Sequence, residues 1–375
     1  MAREIATPII FEETSASSVA AAHKQGPKYR QEDAVACFTS ASRRVVACAD
    51  FDGHGEEGKA SSVHCRSGFL EFMRTYESVF DTWTPEEWSA RLDELFDHLH
   101  SSLRDSLVAN SAGEYYADAA GVLRYVSGAK KDRAVHGGTT ASIVVYAENT
   151  NGDRFVVCAN VGDSDVLFLP PRGLCSKISE DHDPTNADEW QRIHVRDAEL
   201  YEHKLQFVYE RQGMPQSQYP QVFDEHGQLV RAYVESPWAM GLAPANLRYE
   251  PGSRVVSGPE VENDAASFAM TRSIGDFFAH LYGLTHRPAI RVHRLPAGAS
   301  GLVVLASDGV WDCWQYQTFA DKVYATVEAS ASLQDATAEL LKDNHKLAVE
   351  TFGVRGHDDA SIALMRIPAP AARAC

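Results

Sequence analysis

Short apolar runs recur along the chain, and the strongest of them stop at, or start from, acidic residues. Val45-Val46-Ala47-Cys48-Ala49 runs into Asp50-Phe51-Asp52-Gly53-His54-Gly55. Arg154 to Val161 ends at Gly162-Asp163-Ser164-Asp165, and Leu302 to Ala306 ends at Ser307-Asp308-Gly309. Gly356-His357-Asp358-Asp359 comes just before Ser361 to Met365. Apolar runs of this length, bounded by glycine and acid, predict buried strands. Between Ser142–Tyr146 and Arg154–Val161, the stretch Asn149-Thr150-Asn151-Gly152-Asp153 predicts a hairpin, because Asn-Gly tolerates the positive φ of a tight turn. Val166 to Leu169 then turns back at once, and hairpins in series point to an antiparallel β core and not to βαβ units. Val35–Phe38 adds a further strand and Ile290-Arg291-Val292 an edge strand.

Helical spacing replaces alternation elsewhere. Lys59 to Tyr76 is one helix. In a second, Thr84 is the N-cap, Pro85 takes the first position and Glu87 completes a capping box. Trp88, Leu92, Leu95, Phe96, Leu99, Leu103 and Leu107 then form a stripe that faces the core. Asn110 to Arg133 is a surface connection, Glu189 and Arg192-Ile193 fall in a short helix, and Tyr316 to Val349 holds two more helices. The stretch from Arg196 to Ala266 is polar and weakly periodic, which predicts a flap or lid. Residues 1–20 are an N-terminal extension, 21–367 a single catalytic domain carrying the flap at about 196–266, and the Ala/Pro-rich 368–375 a disordered tail.

Composition narrows the class. The 375 residues are 44% hydrophobic and 23% charged, as in a globular protein with ample core. Lys plus Arg is 35 against 52 for Asp plus Glu, a net charge of −17 without a strong basic cluster. Such a surface repels nucleic acid and anionic membranes. No apolar stretch is long enough to span a bilayer. The seven cysteines are odd in number and form no C-x-x-C pair, which predicts free thiols in a reducing compartment. A cytoplasmic or nuclear location is the expectation.

The chemistry comes from the acids. Taken alone, Asp50–Gly58 is equally an acidic turn or a site. Asp50 and Asp52 share one face of an extended strand, and Gly53 could offer its carbonyl. Carboxylates gathered at four strand ends repel one another unless a cation sits between them. Oxygen-only ligands suit Mg²⁺ or Mn²⁺ and not zinc. Two such ions about 3.5–4 Å apart lower the pKa of a shared water towards about 7. His54 could protonate a leaving oxygen, and hydrolysis of a phosphate ester uses those parts. Glu32 and Asp33, after Lys28 and Arg30, could supply further carboxylates to the same site, or form a charged surface turn.

The ordered motifs Glu32-Asp33, Asp52-Gly53-His54-Gly55, Gly138-Thr139-Thr140-Ala141, Gly162-Asp163-Ser164, Asp181-His182-Asp183-Pro184, Thr271-Arg272-Ser273-Ile274-Gly275-Asp276, Ser307-Asp308-Gly309-Val310-Trp311-Asp312 and Asp358-Asp359 resemble the metal-dependent serine/threonine protein phosphatases of type 2C. The resemblance runs from about Gly26 to Ile367. It implies an α+β fold, a central sandwich of two antiparallel β-sheets flanked by helices on both faces. It also implies a monomer that dephosphorylates phosphoproteins with two Mn²⁺ or Mg²⁺ ions and a third, weaker position. By resemblance Asp52 bridges both metals, Gly53 gives its carbonyl to one, and Asp308 and Asp358 complete the other site. Glu32 acts through water, Asp33 supports a metal-bound water, and His54 is the general acid. Asp163 and Asp312, with Asp308, match the third position. The slot for the family's phosphate-binding arginine, four residues before the glutamate, holds Lys28, and Arg30 lies two before; either could grip phosphate. Asp50 has no ligand position. Thr139, Thr140, Arg272 and Asp276 match motif positions as scaffold, and Asp165 puts an acid near the site where the family has a cation.

Overall fold

In a computed structural model of the chain, the described residues are 9–11, 18–27, 30–126, 133–209, 215, 218–230, 253–256, 266–354 and 356–369. Two antiparallel sheets lie at its centre. One has the spatial order Ala289–Arg294, Arg154–Val161, Ala141–Glu148, Val45–Phe51, Ala34–Thr39. The other has the order Ile9–Phe11, Val19–Lys24, Ala360–Ile367, Gly301–Ala306, Val166–Leu169, Ser176–Lys177. The fold is α+β, as the hairpin pattern predicts. Ile9–Phe11 pairs with Val19–Lys24, so part of the expected N-terminal extension is an edge strand of the core. The expected tail falls largely outside the described residues.

Strand alternation sorts the core into layers. Along Val45–Phe51, the residues Val45, Ala47, Ala49 and Phe51 pack against the helices Gly58–Tyr76 and Pro85–Asn110. Val46 and Cys48 point the other way and meet Val303, Leu305, Ala363 and Met365 of the second sheet. The outer face of that sheet is covered by Tyr316–Ala329 and Leu333–Phe352, through Phe319, Val323, Leu340 and Leu341. The order of layers is therefore helix, sheet, sheet, helix.

The helix Pro85–Asn110 follows its sequence closely. Thr84 Oγ1 accepts the Glu87 N–H at 3.2 Å, and Glu87 Oε2 accepts the Thr84 N–H at 2.7 Å. Every residue of the expected stripe from Trp88 to Leu107 is buried, each contributing about 1.5–3 kcal/mol of transfer free energy. The hairpin at 149–153 closes with Gly152 at φ +83°, while Asn149 Oδ1 accepts the N–H groups of Asn151 and Asp153.

Two regions differ from expectation. The surface connection after Asn110 contains a small hairpin, Tyr115–Ala117 with Leu123–Tyr125. The polar stretch 196–266 is not without a core: Gln206–Tyr209 pairs with Ser253–Val256, which pairs with Ser267–Phe268. Leu205, Phe207, Tyr209, Val222 and Phe223 are buried with Ile193, Phe268 and Met270. Four apolar residues within 205–209 make that strand; the polar flanks obscure it. Among the described residues no helix is long and apolar enough to cross a membrane, and the six described cysteines are free.

Candidate active site

Asp52 is the first residue past the strand Val45–Phe51, and Thr140 fixes it from both sides. The Asp52 N–H donates to Thr140 Oγ1 at 3.1 Å, and the Thr140 N–H donates to the Asp52 carbonyl at 2.9 Å. Thr140 Oγ1 also lies 2.8 Å from Ser164 Oγ, which ties the Asp52 end to the Asp163 end. A Cβ on Gly53 would collide with the Gly58 carbonyl and come within 2.7 Å of that of Glu32, so only glycine lets the three backbone segments meet. After Asp52 comes a short strand, Gly53–Gly55, paired with Gly137–Thr139, which pairs in turn with Ile274–Gly275.

This small sheet carries His54 to Asp276, 222 residues away. His54 Nε2 lies 2.6 Å from Asp276 Oδ2, which also accepts Ser273 Oγ–H at 2.6 Å. Burial alone would lower the His54 pKa, but the Asp276 carboxylate outweighs it and the pKa is raised. Burial pushes Asp276 up, yet His54 holds it below the usual carboxylate range. Each thus favours the charged form of the other. His54 Nδ1 is buried without a hydrogen-bond partner. Asp276 has φ +45°, a conformation that non-glycine residues rarely adopt. Its scaffold role is thus specific: it orients His54.

Asp52, Gly53, His54, Asp163, Asp308 and Asp358 line one cleft of about 330 Å³. Behind them lie Asp33, Asp50 and Asp359. Asp33 Oδ2 accepts Ser307 Oγ–H at 2.9 Å. Burial raises the Asp33 pKa well above normal, and Asp50, Asp359 and Asp358 push the same way. Burial lifts Asp50 to about 7 against the Ser361 hydroxyl bond at 2.7 Å, and its Oδ2 has no partner. Asp359 accepts the N–H groups of Gly26 at 2.7 Å and Glu32 at 2.8 Å, so it holds the Glu32 segment against the site. The acidic pair signalled Asp359, but the motif match assigned only its neighbour.

The donor set fits a hard cation. The cleft carboxylates and the Gly53 carbonyl offer oxygens; burial, with repulsion from neighbouring carboxylates, raises the pKa values of Asp33 and Asp50, and one Asp50 oxygen is orphaned. The carboxylates are spread along the cleft and not drawn into a tight knot; among the described residues, the three ligating side chains that close to within 4.8 Å are histidines elsewhere.

Other expected residues sit apart. Glu32 is half-buried beside the Gly53 backbone, Asp312 ends the short helix Asp308–Trp311, and Arg30 is exposed. None of these three lines the cleft. Lys28 lies outside the described residues. Asp165 corrects the expectation of an acid near the site: it is buried against Lys177 Nζ at 2.8 Å, Ser179 Oγ at 3.0 Å and the Tyr316 hydroxyl. The cleft also has walls that the motifs did not signal, His136 on one side and Phe268 and Met270 on another.

A family model described as protein phosphatase 2C matches residues 82–228 and 250–351, well over half of the sequence. The chain belongs to the protein phosphatase 2C family. It is 22% identical over 317 residues to protein phosphatase 2C homolog 2 of Saccharomyces cerevisiae, covering 84% of this chain and 50% of that one. With probable protein phosphatase 2C 30 of Oryza sativa subsp. japonica it shares 26% identity over 286 residues, 75% of this chain and 52% of the relative. The chain thus spans about half the length of these curated relatives. A crystal structure of serine-threonine phosphatase 2C from Toxoplasma gondii superposes with a TM-score of 0.63 at 14% identity, over 96% of this chain and 100% of the other. At that identity the likeness shows the shared phosphatase 2C fold alone.

Proposed function

We propose that this chain is a metal-dependent protein serine/threonine phosphatase whose site is the cleft of Asp52, Asp163, Asp308 and Asp358. The supporting observation is that four strand ends from two sheets bring carboxylates to one cleft that also receives the His54–Asp276 pair. Asp52, the Gly53 carbonyl, Asp308 and Asp358 would hold two Mn²⁺ or Mg²⁺ ions, and Asp163 would help hold a third. Bound there, such ions polarise phosphoryl oxygens and lower the pKa of a water to near neutrality.

The chain's own groups do the rest. Asp276 fixes the His54 ring through Nε2 and favours its charged form, which carries the Nδ1 proton for a leaving serine or threonine oxygen. Asp359 holds the Glu32 segment, and Phe268 and Met270 exclude water from one wall. Phosphoproteins are the proposed substrates, and the proposed protein is a cytoplasmic or nuclear monomer. The alternative, a catalytically weak member acting as a phosphoprotein-binding or regulatory module, rests on Lys28, Asp165 and the flap; of these, Asp165 pairs with Lys177 and does not line the cleft.

The test is hydrolysis of a phosphothreonine peptide and of an activated aryl phosphate, each with Mn²⁺ and with chelator. Mn²⁺-dependent turnover of both is expected. Activity that survives chelation, or none with Mn²⁺, rejects the proposal.

A further inference from the structure

Outside the carboxylate cleft, His100 of the helix Pro85–Asn110, His280 of the single turn Ala279–Tyr282 and His286 just beyond it come together. Each offers a nitrogen, and the three nitrogens lie within 4.8 Å of one another. Outer hydrogen bonds decide which nitrogen of each ring faces inward. His286 Nε2 donates to Asp97 Oδ1 at 2.8 Å, which leaves the lone pair on Nδ1, and that atom is buried with no partner. The His280 ring is bonded to the Gly275 backbone, and its Nε2 is likewise buried with no partner. His100 Nδ1 accepts the Gly275 N–H at 3.3 Å. Burial and then the His286 ring lower the His280 pKa to about 3; burial, His280 and His286 lower His100; burial, with Arg287 beside it, lowers His286 against the pull of Asp97. All three are neutral imidazoles at pH 7, the form that binds metals. Orphaned buried nitrogens are rare and costly, and two in one cluster of neutral imidazoles are what a ligand would relieve.

We infer that His100, His280 and His286 form a second metal site, for a borderline divalent ion of the zinc class. Imidazole nitrogens select zinc, cobalt or nickel over magnesium or manganese. The Asp97 bond to the far nitrogen of His286 is the carboxylate–histidine arrangement that orients metal ligands. The His100 and His286 rings stack with centroids 4.0 Å apart and planes 10° from parallel. Parallel stacked rings cannot both aim an in-plane lone pair at one point, so binding turns one ring out of the stack. His100 is the ring to move: its lone pair, on Nδ1, accepts the Gly275 N–H, and turning the ring breaks that 3.3 Å tether and frees the lone pair, whereas the 2.8 Å bond that holds His286 uses the nitrogen not offered to the metal. The inference is independent of what the carboxylate cleft does.

The experiment saturates the full chain with excess Mg²⁺, to occupy the oxygen-only cleft, and titrates Zn²⁺ against a chromophoric chelator. A parallel titration follows Co²⁺ by visible absorption. One zinc equivalent that resists Mg²⁺ is expected, with a cobalt spectrum of nitrogen coordination, and both should vanish in His280→Gln and in His286→Gln. Wild-type chain that takes up no Mg²⁺-resistant zinc overturns the proposal without recourse to any variant. Equal zinc uptake by wild type and by folded variants also overturns it.

Discussion

The carboxylate cleft and the histidine cluster lie on either side of one short segment, Ile274–Tyr282, yet they assemble ligands in opposite ways. In the cleft the donors are carboxylate oxygens at strand ends, spread along the cleft and backed by further buried acids. In the cluster the donors are neutral nitrogens, stacked closely because nothing repels them once burial has removed their protons. The first site attracts a cation by net charge and suits hard ions; the second offers lone pairs and suits borderline ones. Asp276 stands between them, bonded to His54 on one side and close enough to His280 for each to shift the other's pKa. If both proposed sites bind, one chain would sort metals by ligand chemistry within a few residues of Asp276.

Asp308→Asn breaks this symmetry most strongly. It should lower Mn²⁺-dependent turnover by more than about 100-fold, beyond what losing a supporting group costs a metal site. Zinc uptake at the histidines should be unchanged, and assays of both on one preparation check the pair of outcomes. His54→Ala should slow phosphothreonine peptide hydrolysis by about 10²–10⁴, the usual contribution of a general acid. An activated aryl phosphate, whose leaving group needs no proton, should lose far less; equal losses on the two substrates would remove His54 from that role.

What the sequence allowed differs between the two sites for a physical reason. Each acid of the cleft follows or precedes its own apolar run, so the strand pattern locates it without knowledge of pairing. Whichever sheets form, Asp52, Asp163, Asp308 and Asp358 stand at strand ends. The sandwich and the Pro85–Asn110 helix were legible for the same reason, because their signals are local. The His54–Asp276 pair was not, since it depends on the small sheet joining Gly53–Gly55, Gly137–Thr139 and Ile274–Gly275. The histidine cluster left no local trace either. His100 follows a core leucine on a helix, His280 sits in a single turn and His286 just beyond it, and only the packing of that segment on the helix unites them. In the flap, the apolar residues of 205–209 were visible, but their partners were too distant in sequence to suggest a core.

Both sites share a frame that can be loosened. Buried Glu189 binds the Arg192 guanidinium at 2.7 Å and the Arg272 guanidinium at 2.6 Å. The same arginines reach the carbonyls of Gly283 at 2.8 Å and Arg287 at 3.0 Å, on either side of His286. Burial would raise the Glu189 pKa, but the two guanidiniums hold it well below its ordinary 4.5. A depressed carboxylate pKa contributes stability that is complete above the unfolded value and is lost as pH falls below it. Urea midpoints of the wild type should therefore decline below about pH 4.5, and Glu189→Gln should flatten that decline. Glu189→Ala leaves the buried Arg192 and the half-buried Arg272 without their carboxylate and should cost about 3–5 kcal/mol at neutral pH.

The mildest change is the sharpest probe of the cluster. Asp97 has a half-exposed side chain, 42% accessible, and it touches His286 only through Nε2, the nitrogen that faces away from the other rings. Asp97→Asn therefore removes the charge that raises the basicity of His286 and leaves all three rings in place. If those rings bind zinc, affinity should fall by about 10–100-fold, the usual cost of losing a carboxylate behind a ligating histidine. Mn²⁺-dependent turnover in the cleft should not respond, because Asp97 has no bond to the His54–Asp276 pair. Chelator competition for zinc and phosphopeptide hydrolysis with Mn²⁺ on the same variant separate the outcomes. A loss of turnover without a loss of zinc affinity would make Asp97 a support of the carboxylate cleft and not of the stacked histidines.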